Sequence, residues 1–366
     1  MNVMQGESEA ARAESPEFSF IGSWTEFLPI ALTNLLLTIV TLGIYRFWAK
    51  ARTRRYLWSR THFLDDSFEW TGSGLEMLIG FLLVMLVLLP AFLFFNFGLQ
   101  ALILRGHVAV GAMIAFIFYL GIFYLINVAR FRALRYRLSR TYWHGIRGGS
   151  DDGGWNYGWS GMWKMALGWA AIGLLVPWAM TTLWNERWSK MSFGPYPFEA
   201  RADSSGLMGR WLLLYAAPFV GGILMAIVGV GAAFSGGNPA DPAVLVSTVA
   251  GMLVALIVFY LAFLLLGLSY YAAFFRHAAG ATSLDGLQFE FTARTKDWLK
   301  LILGNIGLVI VTLGFALMFL SYRNWSFMVS HMRADGSVDL ATLTQSTTRA
   351  PGEAEGLADA FDIGAI

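Results

Sequence analysis

The chain has 366 residues, of which 57% are hydrophobic and 14% charged, with a mean hydropathy of +0.56. That composition excludes an ordinary soluble domain, in which about a quarter of residues are charged. The net charge of +2 argues against nucleic-acid binding, and the lack of cysteine excludes a disulfide framework, a thiolate nucleophile and a cysteine-ligated metal.

In chain order, residues 1–17 are expected to form a polar, acidic tail without the basic start and apolar core of a secretory leader. Residues 18–72 form a first repeat. It comprises a short alternating strand at Phe18–Gly22, an apolar stretch at Glu26–Trp48, a basic helix, and a strand at Phe68–Gly72. Residues 77–128 hold a transmembrane hairpin, Met77–Gly98 and Val108–Val128. Both runs have about the 20 apolar residues a bilayer crossing needs, with no Asp, Glu, Lys or Arg. The arginines Arg130, Arg132, Arg135, Arg137 and Arg140 continue its second helix. A second repeat covers 141–203, with the apolar stretch Met162–Trp184 and a strand at Tyr196–Glu199. A second hairpin covers 211–275, its runs Trp211–Ala232 and Val244–Leu268 joined by turn-forming SGGNPADPA. A third repeat covers 282–332, with a strand at Phe289–Thr292 and the apolar stretch Trp298–Leu320. Residues 333–366 read as a polar tail, ending in a short acidic helix over 352–362.

The repeat assignment rests on alignment of the chain with itself. Phe18–Phe47 and Phe289–Met318 align without a gap, matching Phe20 with Phe291, Asn34 with Asn305, and Thr41-Leu42-Gly43 with Thr312-Leu313-Gly314. A weaker third copy over Trp155–Trp188 sets Pro177 opposite Leu313, making Gly43, Pro177 and Gly314 the helix breakers. The same alignment puts Arg52, Arg187 and Arg323 in one column.

Two topologies fit seven apolar stretches. If all seven cross the bilayer, the basic residues divide between both faces. If the three repeat stretches dip in and return, only four helices cross and all but Arg105 of the 26 basic residues share one face. None of the 15 tryptophans lies near either outer connection. Charge and tryptophan placement favour the dip, and both topologies put the carboxyl tail on the basic, cytoplasmic side. The predicted fold is therefore an α-helical integral membrane protein with a small cytoplasmic β component, its three pseudo-repeats separated by two transmembrane hairpins.

The blocks TNLLLTIVTLGIYRFWAKARTRRYLWSRT at 33–61, RTYWHGIR at 140–147 and GEAEGLADAFDIG at 352–364 resemble the YjgN-like family of bacterial inner-membrane proteins, a family of unknown function. The resemblance implies residence in a bacterial inner membrane and brings no reaction, ligand or catalytic residue.

The candidate contacts are of three kinds. Arg46, Lys50, Arg52, Arg54, Arg55 and Arg60, with Arg187 and Arg323, suit anionic lipid headgroups or another anion; the alternative is a topology signal alone. Asn34 and Asn305 are costly in an apolar helix unless bonded, either to each other, as caps, or along a polar path. Glu353, Glu355, Asp359 and Asp362 form an acidic tail toward which Arg52, Arg187 and Arg323 could point jointly; the alternative is that these arginines are three separate interfacial anchors. Histidine and carboxylate spacings give no metal site, no catalytic set and no cofactor motif. The expectation is a non-enzymatic protein engaged in transport or lipid handling, or a scaffold presenting its basic and aromatic layer. Membrane lipids are the expected partner and nucleic acid is not; protein partner and oligomeric state stay open.

Overall fold

The computed structural model describes residues 17–234, 241–338 and 341–350. Its plan follows from how each apolar helix is turned and where its ends are tied. The first short hairpin has α1 (Trp24–Val40) and α2 (Arg46–Ser59). At the tip the Gly43 N–H reaches back to the Thr38 carbonyl at 2.7 Å, and the Thr41 hydroxyl accepts the Tyr45 N–H at 2.9 Å. This closure needs left-handed backbone at Leu42 (φ 50°) and Gly43 (φ 91°). The tip between α10 (Thr295–Val311) and α11 (Leu320–Ser330) uses the same chemistry, with Leu313 and Gly314 at φ 51° and 93°. There Thr312 accepts from the Ala316 N–H at 2.9 Å.

The middle short hairpin, α6 (Trp155–Ala170) and α7 (Val176–Trp188), turns at Ile172-Gly173, with φ 55° and 80°. This corrects the expectation that Pro177 is the breaker. A proline ring fixes φ near −65°, so Pro177 cannot take a left-handed position; it sits in the first turn of α7 instead. The correction realigns this hairpin with the others. Lys164 then falls in the column of Asn34 and Asn305, whereas Arg187 leaves the column of Arg52 and Arg323.

Two longer helix pairs alternate with the short ones. The first comprises α3 (Gly74–Leu93), a π-helical turn at Phe94–Gly98, α4 (Leu99–Leu104) and α5 (Val108–Arg140). The second comprises α8 (Met208–Phe234) and α9 (Pro242–Gly280). Four stretches, Gly74–Leu104, Val108–Arg140, Ser205–Gly231 and Pro242–Gly280, are long and apolar enough to cross a membrane, and almost none of their apolar windows is buried inside the protein. At about 1.5 Å per residue the 33 residues of α5 extend about 50 Å, well beyond a core about 30 Å thick. Its basic end therefore protrudes, as Arg130–Arg140 foreshadow. Each 17-residue first limb, α1 or α10, reaches only about 25 Å.

Strands tie the ends of all five pairs. Strand β1 (Phe18–Phe20) pairs antiparallel with β2 (Thr61–Phe63), which pairs with β3 (Asp66–Ser67). The remaining strands are β4 (Glu69–Trp70), β5 (Thr141–Trp143), β6 (Ile146–Gly149), β7 (Ser192–Phe193), β8 (Tyr196–Ala200), β9 (Thr282–Leu284), β10 (Leu287–Phe291) and β11 (Met332–Gly336). They form one eight-stranded antiparallel half-barrel in strict sequence order. The strand entering each helix pair is hydrogen-bonded to the strand leaving it, as in Gly148↔Phe193 around α6–α7 and Trp70↔Thr141 around α3–α5. Consecutive pairs are linked by the two-residue turns Leu64-Asp65, His144-Gly145, Gly194-Pro195 and Asp285-Gly286, whose first residues have φ of 51–55°. The β component is thus larger than expected. Its strands are two to five residues long, too short for alternation to register, and several, such as IRGG, carry no strand-forming pattern.

The core lies between sheet and helix bases. Glu76 at the start of α3 accepts from the Tyr136 hydroxyl at 3.0 Å and from Arg140 Nε at 3.1 Å, closing the base of the first long pair. Helix α6 packs against α5 through Gly158 and Gly161; a Cβ on Gly158 would lie 2.4 Å from Val128. The first and third short hairpins meet as well. Trp58 stacks on Trp325 with ring centroids 4.1 Å apart, and the Tyr322 hydroxyl donates to the Gly22 carbonyl at 2.8 Å.

Candidate functional site: a central amphipathic cavity

Between the hairpin bases and the concave sheet lies a cavity of about 970 Å³. Its collar is built from one contact made three times. The indole of Trp58 donates to Thr141 at 2.9 Å, that of Trp184 to Thr282 at 3.0 Å, and that of Trp325 to Thr61 at 2.8 Å. Each threonine stands at the start of a strand and donates its own hydroxyl to the carbonyl four residues back, at 2.8 Å in every case. One hydroxyl therefore caps the incoming helix and anchors a tryptophan from elsewhere in the fold, so helix ends and sheet are locked together around the cavity.

The floor is aromatic and aliphatic, with Phe63, Trp143, Phe193, Phe198, Leu287 and Phe289 contributed by five strands. One wall is basic. Arg46, Lys50 and Arg54 recur every four residues, so one face of α2 presents all three, and Arg137 of α5 joins them. The Arg46 guanidinium lies 4.7 Å from the Phe81 ring centre and that of Arg54 lies 4.8 Å from Trp70, which holds the charges against apolar surface. Among the described residues the cavity wall carries no aspartate or glutamate.

Asn34, only 6% exposed, borders the same space. Its amide nitrogen donates to the Ala49 carbonyl at 3.2 Å and to Thr53 Oγ1 at 3.3 Å, joining α1 to α2. Its Oδ1 is buried with no hydrogen-bond partner among the described residues. An unmet buried acceptor costs on the order of 1–3 kcal/mol, which a hydroxyl or amine donor on a ligand would relieve.

The other expected residues are placed separately. Asn305 accepts from Arg323 Nε at 2.7 Å and donates to Asn324 at 2.9 Å, so each asparagine braces its own hairpin and the two do not bond each other. Arg52 and Arg55 are exposed and off the cavity wall, and Arg60 pairs with Glu26 at 3.1 Å. Arg187 packs over Trp184 beside Tyr157 and Arg130. Burial draws its guanidinium below the ordinary value, and the neighbouring Arg130 charge acts in the same direction. The arginines at 52, 187 and 323 therefore do not share the cavity wall. Glu353, Glu355, Asp359 and Asp362 lie outside the described residues. No cluster of three potential metal ligands occurs among the described residues.

Two features of the structure escaped sequence reading, and a third was legible in it. Lys164, 7% exposed and paired with Glu186, lies mid-segment in MWKMALGW; its signal was a lone cation in an apolar stretch. The Trp–Thr contacts join residues 83 to 264 positions apart, for which one sequence offers no signal. The spacing Arg46, Lys50, Arg54 was readable, and marks which part of the basic run faces inward.

Comparison with known proteins adds a family to this geometry. The chain is 28% identical over 130 residues to the inner membrane protein YjgN of Salmonella typhimurium, and 27% identical over 133 residues to that of Escherichia coli O157:H7. Those alignments cover 36% of this chain and 30% of each relative, so it matches only about a third of their length. No solved structure matches. The model of the family described as bacterial protein of unknown function, DUF898, matches residues 15–360, and the chain belongs to that family.

Proposed function

We propose that this is an inner-membrane lipid-handling protein whose central cavity takes up an anionic amphiphile. The phosphate is held by Arg46, Lys50, Arg54 and Arg137, and the chain lies on the aromatic floor. The observation that carries the reading is the meeting, in one chamber of about 970 Å³, of four cations with an apolar floor. That volume is at the upper end for ligand sites, roughly 300–1,000 Å³. Near a charged leaflet each cation contributes about 1 kcal/mol toward an anionic headgroup.

In this reading the three short hairpins are copies of one unit, and they re-enter the inner-leaflet side without crossing. Their strands pair entrance to exit, their first limbs are short, and their tips expose Leu42 (94%), Ile172 (72%) and Leu313 (91%) as only a lipid surface tolerates. The sheet, the basic residues other than Arg105 and the chain up to Ala350 then face the cytoplasm. The inner-membrane names of the YjgN relatives agree with this placement.

The test is photolabelling in nanodiscs of phosphatidylethanolamine and phosphatidylglycerol, with photoactivatable phosphatidylglycerol as the probe. Crosslinks are expected on cavity-wall peptides and should fall about tenfold when Lys50 and Arg54 become Gln, a loss equivalent to about 1.4 kcal/mol. Labelling confined to the long helices, or unchanged in the double variant, overturns the reading.

A further inference from the structure

Building on the lipid-handling reading, we infer that Asn34 selects the headgroup. The amphiphile carries a hydroxyl close to its phosphate, as a glycerol-type headgroup does, and that hydroxyl donates to Asn34 Oδ1.

The first support is the open acceptor itself. Asn34 Nδ2 donates to the Ala49 carbonyl at 3.2 Å, a group that can only accept, so the amide nitrogen and oxygen cannot exchange places. Oδ1 is left buried without a hydrogen-bond partner among the described residues, on a side chain 6% exposed that borders the chamber. Buried acceptors are ordinarily met within the fold, so one left open at a cavity wall marks where a donor on the ligand completes the site.

The second is a comparison of the three short hairpins. Asn305, the matching amide of the third, is complete: its Oδ1 accepts from Arg323 Nε at 2.7 Å, and its nitrogen donates to Asn324 at 2.9 Å. In the middle hairpin Lys164 is met by Glu186. Neither Asn305 nor Lys164 lines the chamber. Arg52, which the sequence sets opposite Arg323, is exposed and off the cavity wall, and Asn34 Oδ1 receives no donor from it. Of the three positions, the one that borders the chamber keeps its acceptor open.

The third is placement. The partners of the Asn34 amide, Ala49 and Thr53, immediately precede Lys50 and Arg54, and all five residues line the chamber. A phosphate seated against Lys50 and Arg54 brings its ester substituent to the stretch of α2 that Asn34 touches. A neutral hydroxyl suits that position better than an ammonium. A buried ammonium needs a carboxylate partner, and the chamber lining carries no Asp or Glu among the described residues.

The test uses the full chain in phosphatidylcholine nanodiscs, with photoactivatable phosphatidylglycerol as the probe and unlabelled lipids as competitors. Phosphatidylmethanol carries the same charge as phosphatidylglycerol and lacks the headgroup hydroxyls. Phosphatidylglycerol is expected to displace the probe from cavity-wall peptides at about a tenth of the mole fraction that phosphatidylmethanol needs, equivalent to about 1.4 kcal/mol. That preference is read in the unaltered protein, so it stands apart from any folding defect in a variant. Asn34→Leu should abolish it, whereas Asn305→Leu, at the matching amide off the cavity wall, should preserve it. Discrimination that persists in Asn34→Leu overturns the assignment. So does phosphatidylethanolamine competing as well as phosphatidylglycerol, which would make the donor an ammonium. Cavity labelling displaced equally by both anionic lipids removes the hydroxyl and leaves the lipid-handling reading standing; absence of cavity labelling in the parent removes both.

Discussion

The long and the short helix pairs are made of similarly apolar sequence and do different work. Helices α3, α5, α8 and α9 expose their side chains around the central windows, and those windows contribute almost nothing to the protein's interior. They anchor. The short hairpins bury Phe27, Ala31, Phe47, Val176, Ala179 and Trp298, carry Asn34, Lys164 and Asn305 in one structural column, and supply all three tryptophans of the cavity collar. They build the site. Hydropathy alone does not separate the two classes. What separates them is length against the bilayer, a left-handed turn halfway, and a polar residue that needs a partner on the returning limb.

Five substitutions probe this contrast, and the largest effect belongs to the collar. Trp184→Ala removes an indole packed edge-on to Phe274 and Phe275 and frees Thr282 Oγ1; thermal unfolding in nanodiscs should show a loss of about 3–5 kcal/mol. A loss under 1 kcal/mol would mean the collar is ornamental. Next comes the charged brace of the middle hairpin. Glu186→Leu strands the buried Lys164 ammonium, and because Glu186 is itself partly exposed the expected loss is about 1–2 kcal/mol, below that of a fully buried pair. Lys164→Met should cost less than Glu186→Leu; the reverse order would place the burden on the carboxylate.

Gly43→Ala sharpens the comparison at the tips. No atom lies within 4 Å of a Cβ built there, so the cost is the left-handed backbone alone, about 1 kcal/mol. The smallest effect should come from a long helix: Leu264→Ala, on a residue 65% exposed, should leave unfolding within about 0.5 kcal/mol of the parent. A cost comparable to that of Trp184→Ala would show that the long helices carry hidden packing.

How much of this was legible follows from element length. Runs of about 20 apolar residues announce themselves, and the four long spans fall where Met77–Gly98, Val108–Val128, Trp211–Ala232 and Val244–Leu268 put them, extended at their ends. The arginines from Arg130 to Arg140 do continue α5. The strands expected at Phe18, Phe68, Tyr196 and Phe289 are represented by β1, β4, β8 and β10. The strands of β5, β6, β7, β9 and β11 were not, because their pairing is decided by neighbours far along the chain and by turns such as His144-Gly145 and Asp285-Gly286. Leu64-Asp65 and Leu284-Asp285 were visible as shared pairs, and in the structure they mark tight turns between strands. The middle hairpin was misregistered because proline was weighed as the breaker, where the positive φ required Ile172-Gly173. The cavity was invisible for the same reason as the sheet: it exists only where three distant Trp–Thr contacts meet.

The account turns on one arrangement: each of the five helix pairs leaves and re-enters through two strands hydrogen-bonded to each other. Placing one cysteine at Lys190, between α7 and β7, and another, in a separate chain, at Gly106, in the far turn between α4 and α5, tests it in intact cells with a membrane-impermeant maleimide. The account predicts labelling at 106 and none at 190 until the cells are opened. Labelling of both positions from outside would make α6 a full crossing and contradict the arrangement on which the cavity depends.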